Sequence, residues 1–335
     1  MGKQAPMWRS SARQAVLSSL CLWALTLAFD ASAQERRFQM ALMESSDPSY
    51  VDLDWLVPFD EPPAAPRQMI LQLGHFLDFE GEGAGTVNFY MSKLTQESYN
   101  WQQVAAVMID EPYWNVTGRM ITAVPCPPPP GTQPDTRYTD VVERMARMAN
   151  LATAVKRISS NTRFWVNFSR PEMDWMDITK TPVCTLDLMK SYIDVISVDI
   201  YEADFNTVVK PYYDWILANR TRPQQQLALV PGVFTIATSP HWSAAQVAGA
   251  LAGYFSYADS TNAAAGANPV VWLIAGWPTT NRVDPVGNVS FLGMFNTANT
   301  AIRNRWQQEF VRPRSDDSSG RVKSAVLSVI LDSES

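Results

Sequence analysis

The sequence predicts an α/β protein whose sheet is parallel and buried on both faces. Strand-length apolar runs recur along the chain, and they are nearly continuous and rich in Val, Ile and aromatic residues. Stretches with helical spacing lie between several of these runs, which indicates crossover connections between parallel strands. A closed TIM-type (β/α)8 barrel and an open doubly wound sheet both satisfy this pattern.

Seven runs have the composition of buried strands: FQMALM (38–43), MILQLGHF (69–76), VAAVMID (104–110), RFWVNF (163–168), IDVISVDIY (193–201), QLALVPG (226–232) and PVVWLIAG (269–276). A complete barrel needs eight strands. The segment LDWLVPF (53–59) is a candidate for a short, irregular one. We therefore expect a barrel that is abbreviated or irregular near residues 44–68.

Helical spacing of apolar residues marks four connecting stretches: 140–158, 208–219, 243–257 and 294–309. Asp140 with Glu143, and Ser243 with Gln246, have the spacing of capping pairs at the starts of two of them. An open nucleotide-binding sheet needs a glycine loop directly between a strand and a helix. The candidate at 81–85 has no convincing helix after it, so the barrel is favoured.

The first 33 residues have the pattern of a secretory signal peptide, with a basic start, the apolar run AVLSSLCLWALTLAF and the small-residue site Ala31-Ser32-Ala33. An uncleaved anchor is the alternative. Cleavage would remove three basic residues and one acidic residue, which changes the formal net charge from −6 to −8. Residues 34–312 would then form a single barrel domain, and residues 313–335 a disordered or loosely attached tail.

The acidic balance argues against nucleic acid and anionic lipid as partners. No stretch after the signal peptide is apolar enough to be an integral membrane span. His75 and His241 are the only histidines, so neither a metal nor another cofactor is predicted. The chain is expected to be exported, periplasmic or extracellular, and bacterial, and Cys126 and Cys184 are expected to form a disulfide.

The stretch VMIDEPYW (107–114) carries the candidate chemistry. It ends a buried strand on Asp110 and Glu111 and continues with Tyr113 and Trp114. In parallel barrels the functional face lies at the carboxyl ends of the strands. Further polar and aromatic side chains follow other predicted strand ends: His75, Asn167, Asp199, Tyr201, Glu202 and Trp277.

These strand ends resemble those of secreted glycoside hydrolases with a (β/α)8 barrel. VAAVMIDEPYW resembles their fourth-strand end, where the general acid is a Glu before a proline. YIDVISVDIYEADF resembles a later strand whose Asp and Tyr line the sugar cleft, and VVWLIAGWP resembles the final strand, whose Trp stacks under a sugar ring. The likeness is at the level of the superfamily, and it implies a carbohydrate substrate.

The resemblance implies Glu111 as the proton donor and a second carboxylate from Glu202, Asp199 or Asp110. Burial beside aromatic residues and the charge of Asp110 are expected to raise the pKa of Glu111. The partner carboxyl is expected about 6.5–9.5 Å away, the range of an inverting base. The side chains expected to bind the sugar are His75, Tyr113, Trp114, Asn167, Tyr201 and Trp277.

Structural roles remain open for several of these residues: Asp110 could cap a turn, Asp199 could satisfy buried groups, and His75 could be a packed core residue. The strand LALVPGVF, where many retaining enzymes of this kind carry their nucleophile, has no acid. That departure keeps a second function open, a non-catalytic carbohydrate-binding or envelope protein on a decayed barrel. A phosphodiesterase or metal-dependent hydrolase is a third alternative, which the shortage of histidines disfavours.

Overall fold

The computed structural model describes residues 35–43, 49–56, 67–75, 100–113, 131, 136–179, 189–201, 203–237, 242–277, 281–284, 289–296 and 298–314. The chain divides into two compact units. The larger unit is Arg37–Phe310 and holds the barrel, and the smaller combines Met1–Arg36 with Val311–Ser335. Within the smaller unit Arg36 and Arg314 form a parallel bridge, and the Arg36 N–H donates to the Pro313 carbonyl at 2.7 Å.

Eight parallel strands close into a barrel in the order β1-β2-β3-β4-β5-β6-β7-β9. Their bounds are β1 Gln39–Met43, β2 Leu53–Leu56, β3 Met69–His75, β4 Val104–Asp110, β5 Arg163–Ser169, β6 Val195–Asp199, β7 Gln226–Leu229 and β9 Val271–Gly276. The predicted barrel is confirmed. The short segment LDWL supplies the missing strand, β2, so VAAVMID is the fourth barrel strand and QLAL is the seventh.

A small antiparallel sheet accompanies the barrel in the larger unit. Its strands are β8 Phe234–Ile236, β10 Arg282–Asp284 and β11 Val289–Gly293, and their order is β10-β11-β8. The run LALVPGVF therefore serves two sheets, since the chain leaves the barrel after β7 and pairs as β8 with β11. Sequence analysis predicted one barrel strand here and did not anticipate the second sheet.

The described helices are α1 Thr136–Ile158, α2 Arg170–Thr179, α3 Lys210–Asn219, α4 Ala244–Ala265 and α5 Thr300–Phe310, with a π-helical turn at Phe205–Val209. The capping box of Ser243 and Gln246 at the start of α4 is confirmed. Asp140 was wrongly predicted as a cap, because α1 begins at Thr136 and Asp140 lies inside it. The predicted helix 294–309 begins only at Thr300, several residues after β11 ends at Gly293.

Side chains of one strand alternate between two buried layers. Met40 and Leu42 belong to the cluster that packs the barrel against its helices, whereas Ala41 and Met43 belong to the cluster inside the barrel. Both faces of the sheet are thus removed from water. This double burial is the physical reason that the strands are continuously apolar in sequence.

No helix among the described residues is long and apolar enough to cross a membrane. The predicted signal peptide (1–33), the glycine loop (81–85) and the tail beyond residue 314 lie outside the described residues. The predicted export and tail assignments therefore stay predictions.

Candidate active site

The carboxyl ends of four neighbouring strands meet at one end of the barrel. His75 of β3 pairs with Asp110 of β4, Asp110 pairs with Asn167 of β5, and Ser169 of β5 pairs with Asp199 of β6. The closed sheet therefore brings together residues that lie far apart in sequence. We call this end of the barrel, marked by Asp110, Asn167, Asp199 and Trp277, the mouth.

Asp110 is anchored inside the barrel, at the mouth. One carboxylate oxygen accepts from Gln72 Nε2 at 3.2 Å, and the other accepts from Asn167 Nδ2 at 2.8 Å. Asn167 in turn accepts from Ser197 Oγ at 2.6 Å. All four side chains are buried. Asp110 and Asn167, both predicted as site residues, thus form a hydrogen-bonded chain across β3, β4, β5 and β6.

Two tryptophans extend this chain into the apolar interior. Trp55 Nε1 donates to Gln72 Oε1 at 3.0 Å, and Trp165 Nε1 donates to Ser197 Oγ at 2.6 Å. The two rings lie 5.7 Å apart. Each indole therefore buries its apolar ring and satisfies its only hydrogen-bond donor. The chain of polar side chains thus packs against apolar side chains inside the barrel.

Glu111 begins the loop that leaves β4, and it is half-buried. Its backbone has a φ of +42°, in the left-handed region, and its N–H donates to the Asn167 carbonyl at 2.8 Å. For a residue other than glycine this conformation costs about 1–2 kcal/mol, so surrounding contacts must maintain it. The strand direction is broken between Asp110 and Glu111. Asp110 therefore has the backbone conformation of a strand, whereas Glu111 has a left-handed one.

Tyr201 and Asp199 are coupled at the end of β6. The Tyr201 hydroxyl donates to Asp199 Oδ2 at 2.8 Å. Burial raises the pKa of Tyr201 well above its usual range, and the negative charges of Asp199, Asp110 and Glu111 raise it further. Asp199 is the acid in direct contact with the hydroxyl. Tyr201 therefore stays protonated and acts as a donor.

An aromatic wall lines the same part of the mouth. The Tyr201 ring lies 5.3 Å from Trp277 and 4.9 Å from Phe234, and the last two are 5.6 Å apart. A Cβ atom at Gly232 would lie 2.9 Å from Tyr201 Cδ1 and 3.0 Å from Phe234 Cε1. Glycine is therefore required at 232 for the wall to close. Phe234 was missed in sequence, because an apolar residue in an apolar run carries no distinguishing signal.

The loop after Glu111 is fixed from two sides. Glu172 accepts the Tyr113 N–H on one oxygen and the Ser169 N–H and Oγ on the other. On another side, Arg144 Nη1 donates to the Pro112 carbonyl at 3.0 Å. Glu172 is completely buried. Burial raises the pKa of Glu172 to about 8. The hydrogen bonds from Ser169 and Tyr113 oppose this rise, and the negative charge of Asp199 adds to it.

Tyr113 has a different role from the one predicted. Its side chain is completely buried and stacks on Phe168, with ring centroids 6.4 Å apart and planes at 8°. A side chain without exposed surface has no face to offer a sugar. Tyr113 therefore supports the loop from beneath, and the predicted sugar-stacking role is corrected.

Sequence analysis also missed Glu172 as part of the site. A signal was available, since Ser169-Arg170-Pro171-Glu172 has the capping-box spacing at the start of α2. That pattern would have predicted the bond to Ser169 only. The bond to Tyr113 joins residues 59 positions apart, and it exists because β4 and β5 are neighbours.

Several predicted residues remain outside the described structure. Trp114, Glu202, Cys126 and Cys184 lie in segments that are not described, and His75 is described only by its backbone. Among the described residues, no group of three or more His, Cys, Asp or Glu side chains is placed to hold a metal ion.

The described part of the mouth combines a half-buried carboxyl, a carboxylate bonded to a tyrosine and a tyrosine–tryptophan wall. Carboxyl pairs of this kind can exchange protons with a bound hydroxyl or ether oxygen. Aromatic faces can pack on the apolar faces of a ring-shaped polar ligand.

Comparison with known proteins gives matches at the level of structure. No protein-family model matches the sequence, and the search of curated proteins gives no match. A Bacteroides uniformis β-glucuronidase matches with a TM-score of 0.51 and 9% identity, over 78% of this chain and 33% of that one. B. uniformis β-glucuronidase 2, covalently bound to cyclophellitol-6-carboxylate aziridine, matches with a TM-score of 0.50, 9% identity and the same shares. A psychrophilic glycoside hydrolase family 10 endo-β-1,4-xylanase matches at 0.48 with 10% identity, over 80% of this chain and 97% of that one.

The chain spans about one third of the length of the two glucuronidases. At these identities the likeness concerns the fold. It agrees with the eight-stranded order of the barrel and with the strand-end resemblance noted in the sequence. The chain therefore has a TIM-barrel fold, which it shares with these two glucuronidases.

Proposed function

We propose that the chain is a glycoside hydrolase that cleaves a poly- or oligosaccharide, with Glu111 as the proton donor. The observation that carries this proposal is the position of Glu111, half-buried directly after the fourth barrel strand and at the same end of the barrel as Asp199 of β6. Cleavage of a glycosidic bond needs one carboxyl to protonate the leaving oxygen and one carboxylate to assist at the sugar carbon. The fold of the matched glucuronidases supports the same chemistry.

The second carboxylate is Asp199 or Glu202 in this proposal. Asp199 accepts a hydrogen bond from Tyr201, which favours a carboxylate over a carboxylic acid at this position. Asp110 is better suited to hold the floor of the mouth, because each of its oxygens already accepts from a neighbouring strand. A carboxyl separation of about 6.5–9.5 Å from Glu111 would make the enzyme inverting.

Tyr201 and Trp277 are the proposed sugar platform. Both are partly exposed, and Phe234 holds them edge-on from behind. A partly exposed aromatic pair beside carboxyl groups suits a ligand with apolar ring faces and polar edges. A neutral or weakly charged saccharide fits this description better than an anionic polymer, because the acids around Tyr201 would repel a polyanion.

The experiment is hydrolysis of a panel of oligo- and polysaccharides by the purified chain and by Glu111→Gln. We expect Glu111→Gln to lower kcat by about 10²–10⁴-fold, the usual contribution of a general acid, with saccharide binding retained. Glu143→Gln is the matched control, since Glu143 is an exposed side chain of α1 that pairs with Arg147. Equal activity of both variants would refute the role of Glu111.

A non-catalytic carbohydrate-binding protein is the second candidate. The observation in its favour is the end of the seventh strand, where β7 stops at Leu229 and the chain continues as Val230-Pro231-Gly232 without an acid. If the chain is such a binding protein, the unmodified chain hydrolyses none of the saccharides. Glu111→Gln then binds them as tightly as the unmodified chain. Trp277→Ala would then weaken binding and change no rate.

Export and the disulfide belong to the same proposal. We expect the chain recovered from a bacterial periplasm or medium to begin at residue 34. With Cys126 and Cys184 joined, its intact mass should be lower by two hydrogens than after reduction. A chain that keeps residues 1–33 or carries two free thiols contradicts these expectations.

A further inference from the structure

The loop that carries Glu111 is held by a buried carboxyl from another strand connection. We propose that Glu172 is a positioning residue, which fixes Glu111 at the mouth by binding the backbone N–H of Tyr113. The proposal rests on the proposed function for its kinetic consequence, while the structural part stands on the contacts alone.

The backbone conformation of Glu111 must be maintained by its surroundings. Glu111 has a φ of +42°, which an L-residue adopts only when neighbouring contacts require it. Three hydrogen bonds restrain the peptide from 111 to 113. They run from Glu111 N–H to the Asn167 carbonyl (2.8 Å), from Arg144 Nη1 to the Pro112 carbonyl (3.0 Å) and from Tyr113 N–H to Glu172 Oε1 (2.5 Å). Glu172 therefore restrains the end of the strained segment.

Glu172 does more than cap its own helix. Glu172 is the third residue of α2, and its Oε2 accepts the Ser169 N–H, as a capping-box glutamate does. A helix cap binds backbone groups at the start of its own helix. Here the other oxygen, Oε1, crosses to Tyr113 in the loop after the neighbouring strand. One carboxyl thus ties the end of β4 to the end of β5.

The contacts of Glu172 with Tyr113 and Ser169 are buried. Glu172 and Tyr113 have no exposed surface, and Ser169 is 2% exposed. Water cannot replace an acceptor that is removed from such a site, so the donor left behind loses its partner. The loop must then move to satisfy that donor, and Glu111, two residues earlier, moves with it.

Glu172→Gln is the sharp test, because it keeps the size of the side chain. An amide has one acceptor oxygen, whereas Glu172 accepts a backbone N–H on each side. In either orientation of the amide, its NH2 group faces one of the two N–H donors. We expect faster hydrogen exchange at the amides of Glu111 and Tyr113, by at least about tenfold. We also expect kcat to fall about 10–100-fold with KM nearly unchanged, because misplacing a catalytic group costs rate.

Gln246→Ala is the matched control. Gln246 is the third residue of α4 and caps that helix through Ser243, in the same position that Glu172 has in α2. Removing this cap should leave kcat and the exchange of the 111–113 amides unchanged. The double variant Glu111→Gln with Glu172→Gln should be no slower than Glu111→Gln alone, since Glu172 acts through Glu111.

Exchange at Glu111 and Tyr113 that equals that of the unmodified chain would overturn the proposal and leave Glu172 as a helix cap. If Glu172→Gln fails to fold, Glu172→Asp tests the same bond with a side chain that is one methylene shorter, and exchange at Tyr113 and a kcat equal to those of the unmodified chain would overturn the proposal equally. If the unmodified chain hydrolyses no saccharide, the proposed function fails, and the exchange measurement still decides whether Glu172 fixes the loop.

Discussion

Glu172 should make the stability of the fold depend on pH in the neutral range. Burial raises the pKa of its carboxyl from the ordinary 4.5 to about 8 in the folded chain. Between these two values the folded chain holds a proton that the unfolded chain has lost. The free energy of unfolding should therefore fall as the pH rises from about 4.5 to about 8.

The magnitude follows from the width of this window. Each pH unit inside it corresponds to about 1.4 kcal/mol for a single proton. Between pH 5.5 and 7.5 the carboxyl should thus contribute a loss of about 2–3 kcal/mol.

The assay is urea unfolding of the unmodified chain and of Glu172→Gln at matched pH values, followed by circular dichroism. Glutamine does not titrate, so the difference between the two chains isolates Glu172 from all other groups. The variant should be less stable at pH 5.5, by about 1–3 kcal/mol for the unsatisfied donor. Its disadvantage should shrink by about 2–3 kcal/mol on going to pH 7.5. A difference that stays constant or widens over this range would refute the reasoning.

Two further predictions concern packing near the site and behind it. Asn262→Ala should lower the free energy of unfolding by about 2–4 kcal/mol, because the buried Asn262 amide binds both the N–H (2.7 Å) and the carbonyl (2.9 Å) of Val271, and both would lose their partner. Thermal unfolding measures the loss, and a change below about 0.5 kcal/mol would contradict it. Gly232→Ala should destabilise the chain by about 1–3 kcal/mol and reduce activity, because its Cβ would lie 2.9 Å from Tyr201. Gly249→Ala is its control, since a Cβ there meets nothing within 4 Å in the exposed face of α4 and should stabilise the helix by about 0.5–1 kcal/mol. Equal effects of the two glycine variants would show that the aromatic wall tolerates an added methyl group.

The sequence by itself predicted the barrel and the strand ends at which polar residues gather. Burial on both faces makes a strand continuously apolar, and this property is visible in VAAVMID without any tertiary information. The end of a strand can also be recognised from neighbouring residues alone, because the apolar run stops where polar residues begin, as it does at Asp110. The same holds for the capping box of Ser243 and Gln246, whose members are three positions apart.

The eighth strand shows where local information ends. β2 is four residues long, and it becomes a strand because β1 and β3 pair with it on both sides. Residues 53–56 alone carry too little pattern to establish a strand, so the sequence marks LDWLVPF (53–59) only as a candidate for a short, irregular one. Closure of the sheet decided the outcome.

Only the tertiary structure decided what individual residues at the mouth do. Tyr113 and Trp277 are both aromatic residues just past a strand end, yet the first is fully buried and the second lines the mouth. Glu111 adopts a left-handed backbone that no sequence pattern indicates, and Glu172 binds a residue 59 positions away. The spacing of apolar residues in the sequence shows which face of a strand or helix is buried. Hydrogen bonds between loops depend on which strands become neighbours, and that is fixed only when the barrel closes.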